Sequence, residues 1–167
     1  MIFVTVGTPQ QPFDRLVRVA DEYAAQTDET IVIQGGTTTY EPRHAEFFRW
    51  TTFQSMEKYT QESRVVITQA SAGAIILASK YHKPIIVVPR LSKFKEHFND
   101  HQFQLALALR EHGQAVVVEI LTVPELQNAI HRALALDAIQ SSREHLVNGL
   151  KIQLDAWQKQ RKSSKSG

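Results

Sequence analysis

Apolar residues fall in short bare runs along this chain, separated by stretches that are apolar on one side only. Ile2 to Val6, Thr30 to Gln34, Val65 to Thr68, Ile85 to Val88 and Ala115 to Val118 are rich in β-branched side chains, the pattern of strands buried on both faces. Between them the spacing becomes helical. Phe13, Leu16, Val17, Ala20, Tyr23 and Ala24 predict one helix, Gln54 to Glu62 a second, and the small and apolar residues from Ser71 to Tyr81 a third. A fourth helix is expected from about Asn99 to His112, closed by Gly113 as a C-terminal cap. A fifth runs from near Pro124 to Leu136, with Thr122 as its N-cap and Glu125 in its first turn. Thr37 to Arg49 has no clean period and contains Pro42, so it reads as an irregular loop with room for a short strand near Phe47 to Trp50. Strands alternating with helices at this spacing predict an α/β fold, a doubly wound, mainly parallel, Rossmann-like sheet in a single domain over residues 1–160.

Residues 137–160 carry a further helical pattern, with Ile139, Leu146, Leu150, Leu154 and Trp157 near one stripe. Such a C-terminal helix either packs on its own sheet or docks part of the stripe on another chain. Residues 161–167 are basic, small and polar, which predicts a flexible tail.

Composition narrows the function. The chain has 167 residues, 43% hydrophobic and 22% charged, enough for a sizeable core. A net charge of +2 is too small to make nucleic acid the main partner. There is no cysteine, hence no disulfide framework and no cysteine metal site. The N-terminal MIFVTVGTP lacks the charged start and long apolar run of a signal peptide, and no stretch reaches the roughly 20 apolar residues of a membrane span. A soluble cytoplasmic protein is expected.

Candidate chemistry concentrates just past the strand at Ile85. Pro89 ends that strand, having no N–H for the ladder. A basic loop with Arg90, Lys93 and Lys95 follows, then a dense polar cluster of Glu96, His97, Asn99, Asp100, His101, Gln102 and Gln104. Ligands of open parallel sheets bind beyond the carboxyl ends of the strands, and cations followed by paired hydrogen-bonding groups suit an anionic, hydroxyl-rich ligand. Gly7-Thr8 ends the first strand ahead of a helix, where backbone can approach a phosphate. Gln69-Ala70-Ser71-Ala72-Gly73 ends the third long strand and opens a helix; its small residues suit either a diphosphate or close helix–sheet packing. His97 and His101 are four apart, but no acid is placed as in a zinc motif, so no metal is expected.

These motifs resemble glycosyltransferase family 28. The resemblance rests on VTVGT at Val4–Thr8, Phe13-Asp14-Arg15-Leu16, ITQASAG at Ile67–Gly73 and, above all, VPRLSKFKEHFNDHQ from Val88 to Gln102. It is to the family's C-terminal, sugar-nucleotide-binding half standing alone, as in the second component of bacterial two-chain capsular and exopolysaccharide glycosyltransferases. It implies a GT-B architecture divided between two polypeptides, a heterodimer at the inner membrane face. This chain would bind a UDP-sugar, and a membrane-anchored partner would bind a lipid-linked saccharide acceptor and supply the general base. By position, Gly7 and Thr8 would line the diphosphate cleft, Phe53 and Met56 would lie near the base, and Ser71, Ala72 and Gly73 would present amides to the phosphates. Asn99, Asp100 and Gln102 would hold sugar hydroxyls, with His101 beside them and Glu96 and His97 in the loop. Arg90 would help neutralise the departing UDP, with no metal or other cofactor needed. The family usually carries a histidine and glycines where this chain has Gln69, Ala70 and Ser71, and Leu77 stands where some relatives place a ribose-binding acid. Those departures leave open a non-catalytic accessory subunit that stabilises or activates a glycosyltransferase partner.

Overall fold

A computed structural model describes residues 1–96 and 101–139 of the chain. The elements in order are β1 (Ile2–Thr5), α1 (Asp14–Ala24), β2 (Ile31–Gln34), β3 (Glu46–Phe48), α2 (Phe53–Glu62), β4 (Val65–Thr68), α3 (Ala72–Lys80), β5 (Ile85–Val87), a 3-10 turn at Ser92–Phe94, α4 (His101–Glu111), β6 (Val116–Val117) and α5 (Val123–Ile139). The six strands form one sheet in the order β3-β2-β1-β4-β5-β6, every neighbouring pair parallel. β1 is central, with Thr5 level with Gln34 on one side and Thr68 on the other. This is the doubly wound Rossmann-like arrangement the alternation predicts.

Alternate strand residues serve opposite faces, because side chains on a strand point up and down in turn. Ile2, Val4, Ile31, Ile33, Val65, Ile67 and Ile86 meet Leu16, Val17 and Ala20 of α1 and Leu126, Ala129 and Ile130 of α5. Val66, Ile85 and Val87 meet Ile75 and Ala78 of α3 and Leu105, Ala106 and Leu109 of α4. Tyr59 brings α2 to the same side by stacking on Phe3 and Phe48, with ring centroids 5.5 and 5.2 Å apart. Val6 stays in register past β1 through a 3.1 Å bond from its N–H to the Gln34 carbonyl.

Local signals hold where they are short-ranged. Thr122 caps α5 by accepting the Glu125 N–H at 3.3 Å. Gly113 has φ +63, and the Gln114 N–H reaches back to the Leu109 carbonyl at 2.8 Å, which closes α4. The 37–49 segment does end in a strand, β3, slightly earlier than its apolar residues suggest. Ahead of it, buried Asp21 of α1 gathers the amides of Arg43, His44 and Ala45 and the Tyr40 hydroxyl. α5 continues past Leu136 to Ile139, with no break at Asp137. The expected C-terminal helix beyond residue 139 and the tail lie outside the described residues, as does the expected start of α4 at Asn99 and Asp100.

Candidate functional site

In this strand order the connections leave β1 and β4 in opposite directions, which opens a crevice between their carboxyl ends. Gly7 stands at the end of β1 with φ +70, a backbone conformation that favours glycine. Its N–H is held by the Thr5 hydroxyl and the Gln34 side-chain oxygen, each at 3.2 Å, and the Gln34 amide nitrogen donates to the Gly7 carbonyl at 3.3 Å and the Arg49 carbonyl at 2.9 Å. The turn is therefore anchored from the β2 side. A Cβ at Gly7 would lie 2.2 Å from Nε2 of Gln69, so the Gln69 side chain packs directly against this glycine.

Across the crevice, Ser71 stands at the N-cap of α3, followed by Ala72 and Gly73. The Ser71 side chain makes no capping bond, and Gly73 faces open space, with nothing within 4 Å of where a Cβ would sit. The first amides of any α-helix lack intrahelical acceptors, so this end of α3 offers donors to an anion. The N-terminus of α1 differs in place and charge. It begins at Asp14, well past Gly7-Thr8, and the Asp14 carboxylate, held by the hydroxyls of Thr38 and Thr39 and the amides of Thr39 and Tyr40, puts a negative charge in its first turn. Burial pushes the Asp14 carboxyl up, but those donors outweigh it and hold it below its ordinary value. The helix start expected after Gly7 thus lies at Asp14, and Gly7 and exposed Thr8 form a lip of the crevice.

Arg90 and Glu96, expected to face the donor, are both buried. Arg90 is 0% exposed, beneath the crevice rather than in it. Its Nε donates to the Gln69 side-chain oxygen, Nη2 to the Val6 carbonyl at 3.0 Å, and Nη1 to the carbonyls of Gln11, Pro12 and Glu96 at 2.8, 3.3 and 3.3 Å. The guanidinium stacks 4.6 Å from the Phe13 ring centroid. Burial lowers its pKa to about 10, so it stays charged at neutral pH. Glu96 is buried too, taking two 2.9 Å bonds from Arg15 and one of 3.1 Å from the Leu91 N–H. A lone cation in a loop is ordinarily solvated, and these two charges are inside only because loops from three strand ends surround them.

Phe53 opens α2 after Thr52, whose hydroxyl caps the Ser55 N–H at 3.1 Å, and is 72% exposed at the carboxyl end of β3. Trp50 beside it is also exposed, and Met56 one turn on is half-buried. Gln102 in the first turn of α4 is half-buried, and its side-chain oxygen is enclosed with no partner among the described residues. His97, Asn99 and Asp100 lie outside the described residues, as does the side chain of His101. Leu77 is buried. Among the described residues no group of histidines and carboxylates is placed to hold a metal, and no helix is long and apolar enough to cross a membrane.

The sequence assigns no role to Gln34, Arg15, Asp14 or Asp21 and marks Gln69 only as a departure from the family pattern. Polar side chains at the last positions of buried strands, as at Gln34 and just after β4 at Gln69, were the available signal.

Fold and site together define a Rossmann-like lobe with an anion-ready crevice at its topological switch point. The chain belongs to the glycosyltransferase family 28 C-terminal domain family, which matches residues 1–151. A mouse relative, "UDP-N-acetylglucosamine transferase subunit ALG13", is 33% identical over 122 residues, 66% of this chain and 10% of that protein, so the chain spans only a tenth of its length. Among solved structures, the kitacinnamycin glycosyltransferase superposes with a TM-score of 0.67 at 18% identity over 91% of this chain and 39% of that one. The calicheamicin glycosyltransferase CalG4 gives 0.60 at 17% over 93% and 43%, and MurG from Acinetobacter baumannii 0.52 at 16% over 89% and 49%. At those identities the likeness is one of fold, that of GT-B glycosyltransferases.

Proposed function

We propose that this chain is the donor-binding, catalytic subunit of a two-component hexosyltransferase that takes its sugar from UDP and passes it to a lipid-linked acceptor in exopolysaccharide or capsule synthesis. The observation that carries the reading is the open end of α3 at Ser71–Gly73 facing the Gly7 turn, in a chain of this family. A diphosphate there meets unsatisfied amides, and the exposed Phe53 with Met56 offers an apolar surface to the base. Asn99, Asp100 and Gln102 hold the sugar hydroxyls, with His101 beside them. Amides and fixed dipoles stabilise the departing diphosphate without a metal. A membrane-anchored partner supplies the acceptor surface and the general base and keeps the complex at the inner membrane face; the mouse relative's name, a transferase subunit, supports the division of labour.

Calorimetry with UDP, UDP-GlcNAc, UDP-galactose and UDP-glucuronate tests the binding step. Transfer assays with and without a candidate partner test the division, with little or no transfer expected from the isolated chain. Robust transfer by this chain alone removes the two-component reading.

A second reading, a non-catalytic subunit that stabilises a competent partner, is favoured by the Gln69 side chain filling the space at Gly7 and by the apolar Leu77. It predicts no binding to any of the nucleotides.

A further inference from the structure

Arg90 and Gln69 form a unit that the family resemblance does not anticipate. A glutamine amide has an accepting and a donating end, and its neighbours decide which way it points. At Gln69 the decision falls to Arg90, whose Nε–H takes the side-chain oxygen and leaves the NH2 group against Gly7 at the crevice. The guanidinium cannot turn away, because its other donors are spent on Val6, Gln11, Pro12 and Glu96 and its face on Phe13. The nearby carboxylate, Glu96, is already paired with Arg15. Buried Arg90 and partly buried Arg15, against the one carboxylate of Glu96, leave this wall with net positive charge just behind the amide.

We infer that Arg90 is a positioning residue for the donor: it fixes the Gln69 amide so that its NH2 group, polarised by the buried charge, donates to a diphosphate oxygen lying between Gly7 and the start of α3. This rests on the donor-binding reading above and deepens it. Gln69 takes the contact, while Arg90 acts through Gln69 without touching the ligand. A hydrogen-bonded chain whose far end is a cation is stronger at its near end than an isolated amide. The arrangement thus recovers part of what a charged side chain at this position would give, without exposing a charge.

Gln69→Glu separates this from a purely structural tie. A carboxylate still accepts from Arg90, so the thermal midpoint is expected to hold or rise, but its second oxygen now faces the diphosphate. The readout is the ratio of UDP to uridine affinity, by calorimetry and ligand-observed NMR, because uridine has no phosphate and damage to the whole site lowers both ligands together. The ratio is expected to fall at least about tenfold, the size of one lost charge-assisted hydrogen bond. Gln69→His, which keeps a ring N–H, is expected to stay within about threefold of the wild-type ratio. Arg90→Lys, which keeps the charge but loses the fork that orients the amide, is expected to lower the ratio with Gln69 intact. An unchanged ratio in folded Gln69→Glu overturns the inference, and should that variant not fold, an unchanged ratio in Arg90→Lys does so. If the wild-type chain binds UDP and the ratio does not move, only this inference fails; if it binds no UDP or UDP-sugar, the donor-binding reading fails and takes the inference with it.

Discussion

Two of the buried charges, Asp21 and Arg90, lie at different ends of the protein, and their surroundings are mirror images. Asp21 is an anion wrapped in donors: the amides of Arg43, His44 and Ala45 and the hydroxyl of Tyr40. Arg90 is a cation wrapped in acceptors: carbonyls of Val6, Gln11, Pro12 and Glu96 and the side-chain oxygen of Gln69. In both cases backbone does the work of water, which makes a buried ion tolerable. The difference lies in where the partners come from. Those of Asp21 belong to one contiguous loop, so the contact shapes the approach to β3 and little else. Those of Arg90 come from the ends of β1, β4 and β5, so the same kind of contact sets the walls of the crevice. A buried charge is a local brace or a site organiser according to how many strand ends it gathers.

The sharpest way to break the comparison is to delete each charge. Arg90→Met strands acceptors from three strand ends, and a loss of about 3–5 kcal/mol is expected by chemical denaturation, with UDP binding abolished. Asp21→Ala is expected to cost less, about 2–3 kcal/mol, and to leave UDP affinity unchanged by calorimetry, because its orphaned amides lie in one loop. Equal losses of UDP affinity in the two variants would erase the distinction between brace and organiser.

Acid provides a milder probe. Burial raises the Asp21 carboxyl, but the amides of Arg43, His44 and Ala45 and the Tyr40 hydroxyl more than reverse this and hold it below its ordinary value of 3.8; Asp14 is lowered too. A carboxylate lowered in the folded state contributes stability that is complete above the unfolded value and disappears as pH falls through the folded one. Thermal midpoints measured downward from neutral pH should therefore hold until near that ordinary value and then drop. Asp21→Asn should flatten the drop, whereas Arg90, charged throughout this window, should add nothing to its shape. The smallest effect is expected at the rim: Phe53→Ala should change stability by less than about 0.5 kcal/mol, since the ring is exposed, while weakening UDP. Unchanged UDP affinity in that variant would take the base away from α2.

How much was legible before folding follows the same division. The strands at Ile2, Ile31, Val65 and Ile85, the caps at Thr122 and Gly113 and the doubly wound alternation were readable because each depends on residues a few positions apart. The Gly7 and Ser71–Gly73 walls were readable as strand-end punctuation. Arg90 and Glu96 were read as groups facing a ligand, since a polar loop after a proline-terminated strand is normally wet, and they proved to be internal supports. Gln69 reads in the sequence only as a departure from the family's usual histidine, yet it fills the space at the crevice mouth.

The sequence by itself determined the elements, the family and the end of the sheet where chemistry gathers, because hydrophobic period and turn residues act over short chain distances. Only the tertiary structure decided which polar groups face outward and which became walls. Desolvating Arg90 is tolerable once Val6, Gln11, Pro12, Gln69 and Glu96 converge on it, and that convergence joins residues up to 84 positions apart. No local pattern carries it.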